Sequence, residues 1–201
     1  MTIKNIIFDL GNVIIDVDRN LTIEAFAKLA NFPLSKAFEL FTTYPQNSSF
    51  ELGKLSAQEY FEQGSGHFNF NCSEIDFWKA WNAMLLNIPT YRLERMKELK
   101  KNYKIYILSN TNIKHIEKIN EMLPCAWNEF SHKTYFSYDY QMIKPDLAFY
   151  EVVLQENDLK ACETMFLDDL PENIEAATKL NLKTQLIRPE NFTMIEATDS
   201  F

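Results

Sequence analysis

The chain has 201 residues, of which 46% are hydrophobic and 24% charged, enough for one well-buried core with or without a small inserted domain. Its net charge of −8 argues against a nucleic-acid surface, which needs Lys and Arg to displace counterions from phosphates. No apolar run approaches the roughly 20 residues that span a bilayer, so no membrane contact is expected. Cys72, Cys125 and Cys162 are odd in number and form no CxxC pair, so neither a disulfide framework nor a zinc site is expected, and a reducing cytoplasm is. The opening Met1-Thr2-Ile3-Lys4-Asn5 lacks the order of a secretory signal.

In chain order, Ile3 to Phe8 reads as a short buried strand that breaks at Asp9-Leu10-Gly11-Asn12. Residues 16–90 change character. They carry Phe, Leu and Ala at helical spacing, as in Phe26-Ala27-Lys28-Leu29-Ala30, and Ser56 with Glu59 forms an S-x-x-E capping box. This stretch is expected to be a helical insert that rejoins the core near Pro89, with Trp78 and Trp81 packing inside it. Tyr91, Met96 and Leu99 share a helical face ahead of a second strand, Lys104 to Leu108, which ends at Ser109-Asn110-Thr111-Asn112. Phe149, Val152, Val153 and Glu156 follow helical spacing. A third strand, Thr164 to Leu167, ends at Asp168-Asp169; Ile174, Ala177 and Leu180 mark a helix, and Lys183 to Ile187 a fourth strand. Strand alternating with helix predicts an α/β fold: a Rossmann-like parallel-sheet core over 1–15 and 91–201, with an inserted α-helical domain over 16–90.

Ligands of open α/β sheets bind beyond the carboxyl ends of the strands. Three predicted strand ends carry chemically capable residues: Asp9, then Ser109 and Asn110, then Asp168 and Asp169. Singly, each has a plainer reading. Asp9 reads as a turn former, Ser109-Asn110 as a helix cap, Asp168-Asp169 as a cap for the helix opening near Pro171, and Lys144 as a surface lysine. Adjacent carboxylates at a buried strand end repel one another, however, and a cation is the economical remedy. His67, His115 and His132 share no ligand spacing and are read as structural or surface residues.

Together, Ile6-Ile7-Phe8-Asp9-Leu10-Gly11-Asn12-Val13, Ile107-Leu108-Ser109-Asn110-Thr111-Asn112, Lys144-Pro145-Asp146 and Phe166-Leu167-Asp168-Asp169 running on to Asn173 resemble the four motifs of the haloacid dehalogenase superfamily. The resemblance implies a helical cap over a Rossmann-like core and a Mg²⁺-dependent phosphatase acting on a small phosphorylated metabolite, as a monomer or weak homo-oligomer. It implies Asp9 as nucleophile and metal ligand, Ser109 and Asn110 as phosphate-binding residues, and Lys144 as the charge-neutralising lysine. Asp169 becomes a metal ligand, with Asp168 a further or outer ligand, Gly11 a ligand through its carbonyl, and Asn173 a support for the acidic loop. Phe50 to Ser56 looks like a cap loop.

One position departs from the family pattern. Most family phosphatases carry a second Asp two residues after the nucleophile as general acid and base; here that position is Gly11. General acid–base catalysis typically contributes about 10²–10⁴-fold, so either the substrate has a good leaving group, such as the anomeric oxygen of a sugar 1-phosphate, or the enzyme is slow or specialised for something other than ester hydrolysis. The Phe-Asp-Leu-Gly-Asn-Val motif with Asp16 and Asp18 nearby resembles a branch that includes glucose-1-phosphate phosphatases. Asp16 and Asp18 are candidate replacement acids or simple turn residues. The alternatives are a metal-free 2-haloacid dehalogenase and a catalytically silent binding module.

Overall fold

A computed structural model describes residues 2–188, so the last residues of the expected core, 189–201, lie outside the described residues. The first strand is β1 (Asn5–Phe8). Five helices follow: α1 (Arg19–Ala30), α2 (Leu34–Thr43), α3 (Gln46–Glu51), α4 (Ala57–His67) and α5 (Glu74–Trp81). The chain then alternates through α6 (Thr90–Leu99), β2 (Lys104–Ser109), α7 (Ile113–Met122), β3 (Lys133–Phe136), α8 (Ser137–Tyr140), α9 (Leu147–Glu156), β4 (Thr164–Asp168), α10 (Pro171–Lys179) and β5 (Lys183–Leu186).

All five strands run parallel in the order β3-β2-β1-β4-β5. Successive residues point to opposite faces of a strand, and the sequence uses both faces. Ile6, Phe8, Ile105, Ile107, Met165 and Leu167 pack with Leu93 and Met96 of α6 and with Ile116 and Ile119 of α7. Ile7, Tyr106, Leu108 and Phe166 pack instead with Phe149, Tyr150 and Val153 of α9 and Ala176 and Ala177 of α10. The result is a three-layer sandwich. Ile6, Ile7 and Phe8 have no exposed surface; full burial contributes about 1.5–3 kcal/mol for each, which holds β1 at the centre.

The sequence reading missed β3. Lys133-Thr134-Tyr135-Phe136 is four residues long with no sustained apolar run, and it becomes a strand by pairing with β2 along Tyr106↔Lys133 to Ser109↔Phe136. Tyr91 also departs from its expected place on the buried face of α6. It is 42% exposed, and Arg92, Leu93, Met96 and Leu99 form the buried face instead.

Helices α1 to α5 enclose a second core made of rings. Phe26, Phe50, Tyr60, Phe68, Phe77, Trp78 and Trp81 are all buried together. Phe50 stacks on Tyr60 at 4.4 Å between centroids, and Tyr60 meets Trp81 edge-on at 4.9 Å. The Ser56–Glu59 capping box forms at the start of α4 as expected. The two connections between this helical insert and the sheet run side by side. Val17 and Leu85 form an antiparallel bridge, and Leu86 N–H donates to the Asp16 carbonyl at 3.0 Å.

Candidate active site

The strand order reverses around β1: the chain first builds β2 and β3 on one side, then β4 and β5 on the other. The crevice beyond the β1 and β4 carboxyl ends is therefore the topological switch point, where ligands bind in open α/β sheets. Register sets what stands there. Phe8 pairs with Leu167, so Asp9 and Asp168 emerge side by side, and Asp9 N–H donates to the Leu167 carbonyl at 2.8 Å.

Lys144 reaches this point from the loop before α9. It is buried, and its Nζ lies 2.6 Å from Asp9 Oδ1 and 2.6 Å from Asp168 Oδ2. The surface-lysine reading is thereby excluded. Asp146 accepts from Ala148 N–H at 3.1 Å and caps α9, anchoring the loop. The Asn110 amide holds Lys144 from the other side: its Nδ2 donates to the Lys144 carbonyl at 2.8 Å and its Oδ1 accepts from Lys144 N–H at 2.8 Å. Asn110 was expected to bind phosphate, yet its side chain is committed to the Lys144 backbone. Ser109 is buried and lines the cleft. Neither residue caps α7; Asn112 does, its Oδ1 accepting from His115 N–H at 3.0 Å.

Asp168 is fully buried and saturated. Asn173 Nδ2 donates to its two oxygens at 3.1 and 3.0 Å, Leu170 N–H donates to Oδ1 at 2.8 Å, and Lys144 takes Oδ2. The Asn173 side chain thus ties α10 to the end of β4. Asp169 is half-buried and receives Asn12 Nδ2 at 3.2 Å. Asn12 sits at φ 54, in the left-handed region that Asn tolerates. Its Oδ1 accepts from Val17 N–H at 3.0 Å, tying the acidic loop to the root of the insert. The sequence reading treated Asn12 only as a strand breaker; its bonds to partners 5 and 157 residues away leave no local signal.

The electrostatics of the cluster call for a cation. Burial raises the Asp9 carboxyl to about 7, with Lys144 opposing and Asp168 reinforcing the rise. Burial also raises Asp169 above the usual carboxylate range. Burial alone would lower the Lys144 ammonium, but Asp9 and Asp168 outweigh it and hold it above its ordinary value. Carboxylate oxygens of Asp9, Asp168 and Asp169 lie within 4.8 Å of one another. Three carboxylates against one ammonium leave two negative charges, and the donors are all oxygen. That set fits a hard divalent cation such as Mg²⁺.

The cluster opens into a cavity of about 760 Å³ between sheet and insert. Asp9, Gly11, Ser109, Lys144 and Asp169 line its floor; Arg19, Phe38, Phe41, Asn47, Glu51 and Trp81 line the insert side. Asp16 and Asp18, the candidate replacement acids, are not among the lining residues. Asp16 pairs with buried Arg92 at 2.8 Å, and Asp18 caps α1 by accepting from Asn20 N–H at 3.0 Å. Both are structural.

A family model for haloacid dehalogenase-like hydrolases matches residues 3–181. The chain belongs to this family. It is 32% identical over 198 residues to a D-ribitol-5-phosphate phosphatase of Bacteroides thetaiotaomicron, covering 94% of this chain and 93% of the relative. It is 28% identical to the sesquiterpene phosphatase astK of Aspergillus oryzae, covering 90% of this chain and 88% of the relative. Its fold matches the crystal structure of the HAD family enzyme bt-2542 from Bacteroides thetaiotaomicron, in complex with magnesium and inorganic phosphate. The TM-score is 0.86 at 30% identity, over 92% of this chain and 94% of that one. Both of these curated relatives are phosphatases, and the bt-2542 structure holds magnesium and phosphate.

Histidine 115, Arg19 and Glu51 line the cleft without having been singled out. His115 was read as structural because it shares no spacing with another histidine. Only the packing of α7 under Trp81, with ring centroids 5.3 Å apart, brings it to the cavity.

Proposed function

We propose that the chain hydrolyses the phosphate monoester of a small polyhydroxylated metabolite, a sugar or alditol, through an aspartyl-phosphate on Asp9. The observation that carries this reading is the Asp9–Lys144–Asp168 triplet with Asp169 beside it, at the floor of a cleft of mixed polar and apolar lining.

Lys144 holds Asp9 Oδ1 at 2.6 Å and so fixes the rotamer of the nucleophile. Asp9 attacks phosphorus; the P–O bond to the leaving group breaks, and the leaving oxygen takes its proton from water. Water then attacks the acyl phosphate, returning the Asp9 carboxylate and releasing inorganic phosphate. Lys144 and Ser109 face the transferring group, and the ammonium offsets the repulsion between carboxylate and phosphate. Asp9, Asp169 and the Gly11 carbonyl would hold Mg²⁺, which when bound stabilises charge on the phosphoryl oxygens. Asp168, with its oxygens already satisfied, positions Lys144 rather than meeting the metal. Asn110 acts through Lys144 in the same way.

Residues 16–90 form the cap that closes over the substrate and reads the leaving group. The cleft is complete within one chain, which supports a monomer. Cys72, Cys125 and Cys162 are all free, which supports a reducing, cytoplasmic setting. Among the described residues no helix is long and apolar enough to cross a membrane.

The experiment is a panel of phosphorylated metabolites assayed with Mg²⁺ and again after chelation. Metal-dependent turnover concentrated on sugar and alditol phosphates is expected. Turnover that survives complete chelation, or preference for an apolar prenyl phosphate, would overturn the reading.

A further inference from the structure

Arg19, Glu51 and His115 are among the polar side chains in the cleft that have no task in the phosphoryl chemistry. His115 stands out because its Nε2 is buried and has no hydrogen-bond partner, a state that costs free energy unless a ligand relieves it. The Trp81 carbonyl, which accepts Thr22 Oγ1 at 2.8 Å, lies near the ring but forms no hydrogen bond with Nε2.

The neighbours of His115 decide where its proton sits. Asn112 Oδ1 accepts from two donors, His115 N–H at 3.0 Å and Trp81 Nε1–H at 3.3 Å. Two donors on one atom identify it as the oxygen, so Asn112 Nδ2 faces His115 Nδ1 at 3.1 Å and must donate to it. Nδ1 is therefore an acceptor, and the neutral ring carries its proton on Nε2. Burial keeps the ring neutral, and the nearby Arg19 charge acts in the same direction.

Glu51 is placed by backbone contacts with the core. Its carbonyl accepts Ser137 Oγ at 2.6 Å. Two residues on, Gly53 at φ +63 lies so close to the core that a Cβ there would sit 2.1 Å from the Tyr138 carbonyl oxygen. The end of α3 cannot shift without breaking these contacts. Arg19 is near enough to act electrostatically on both Glu51 and His115.

Resting on the phosphatase reading, we infer that His115 Nε2–H, Glu51 and Arg19 form the subsite for the leaving group and that this subsite takes hydroxyls of an alditol chain. An alditol hydroxyl both donates and accepts. Glu51 supplies an acceptor; His115 and Arg19 supply donors. A prenyl chain would leave all three unanswered in the closed cleft, and a subsite built to hydrogen-bond hydroxyls rejects a partner that lacks them.

The test compares kcat/KM for ribitol 5-phosphate with that for p-nitrophenyl phosphate, in wild type, His115→Phe and His115→Gln. Phe keeps the ring shape and removes the donor; Gln places an amide N–H near the position of Nε2. The ratio of the two values is expected to fall at least about tenfold in His115→Phe and to recover in His115→Gln. A purely structural role would lower both rates together, so an unchanged ratio in His115→Phe overturns the inference. Titration of ¹⁵N-labelled wild type with ribitol, which carries no phosphate, separates this inference from the phosphatase reading. A shift of the His115 Nε2–H resonance supports the subsite even where no phosphate ester is turned over. No shift overturns it even where p-nitrophenyl phosphate is hydrolysed well.

Discussion

On the sheet side of the cleft, Asp9, Lys144, Asp168 and Asp169 each have a partner within 3.2 Å. On the opposite wall, Phe38 of the insert is 53% exposed, and His115 Nε2, on core helix α7 beneath Trp81 of the insert, has no partner. The two sides also cohere differently. The sheet divides its apolar residues between two faces by strict alternation, whereas the insert gathers aromatic rings around Phe26 and Tyr60. A floor saturated by its own chain can hold a fixed chemistry. A wall with unmet polar groups and an exposed apolar lip waits for part of a substrate. Reaction is thereby carried by the strand ends of the core, and recognition by the insert together with α7, along a seam that the Val17–Leu85 bridge and the Ser137–Glu51 and Trp81–Asn112 bonds hold closed.

The sharpest break of this comparison is Asp9→Asn. Loss of the nucleophile should lower kcat at least about 10³-fold while substrate binding, read by calorimetry, survives. Equal turnover by wild type and variant would remove Asp9 from its role. On the other side, Phe26→Ala deletes a ring that packs against Phe68, Phe70 and Phe77 at 5.1 to 5.5 Å. It should cost about 3–5 kcal/mol, with faster hydrogen exchange in α1 to α5 and unchanged protection in β1 and β4. Uniform loss of protection would show that insert and sheet unfold as one.

Gly11→Asp sharpens the comparison from the floor. A Cβ at Gly11 would meet only Val17 Cγ2 at 3.7 Å and Asp9 Oδ2 at 3.9 Å, which are ordinary contacts. An acid added there should raise kcat for alkyl phosphates by up to about 10²-fold, and less for p-nitrophenyl phosphate, whose leaving group needs no proton. Equal gains on both substrates would point to a change other than proton transfer.

The smallest effect is a pH dependence at the wall. Burial, with Arg19 adding to it, pushes His115 down to about 4 from its ordinary 6.5. The unfolded chain therefore binds a proton between pH 6.5 and 4 that the folded chain does not. Stability is full above the unfolded value and declines as pH falls through that window, by about 2 kcal/mol at pH 5. Denaturant melts of wild type and His115→Gln should diverge between pH 7 and 5; parallel curves would mean that the ring is protonated in the fold.

Much of this was legible in local pattern. Apolar runs located β1, β2, β4 and β5, and the polar residues at their ends located the floor, because a strand that must bury its side chains can place a charge only where it stops. Asp9, Asp168 and Asp169 were read from their places at strand ends, Lys144 and Asn173 only through the resemblance to the superfamily motifs, and the structure brings all five together. Asp16 and Asp18 were left open between acid and turn, since an Asp near a helix start looks the same in either role. Only their bonds to Arg92 and Asn20 decided it.

The sequence by itself pointed to a cation, because adjacent carboxylates at a buried strand end repel one another, and the order of its strand-end residues and Lys-Pro turn carried the resemblance that implied a phosphate. Tertiary structure alone decided the rest. β3 exists because β2 offers it a ladder, Asn110 turns to the Lys144 backbone because that backbone passes within 2.8 Å, and His115 becomes part of the wall because Asn112 takes one ring nitrogen and leaves the other unpartnered. Such roles depend on contacts between segments far apart in the chain, and spacing along the chain does not record them.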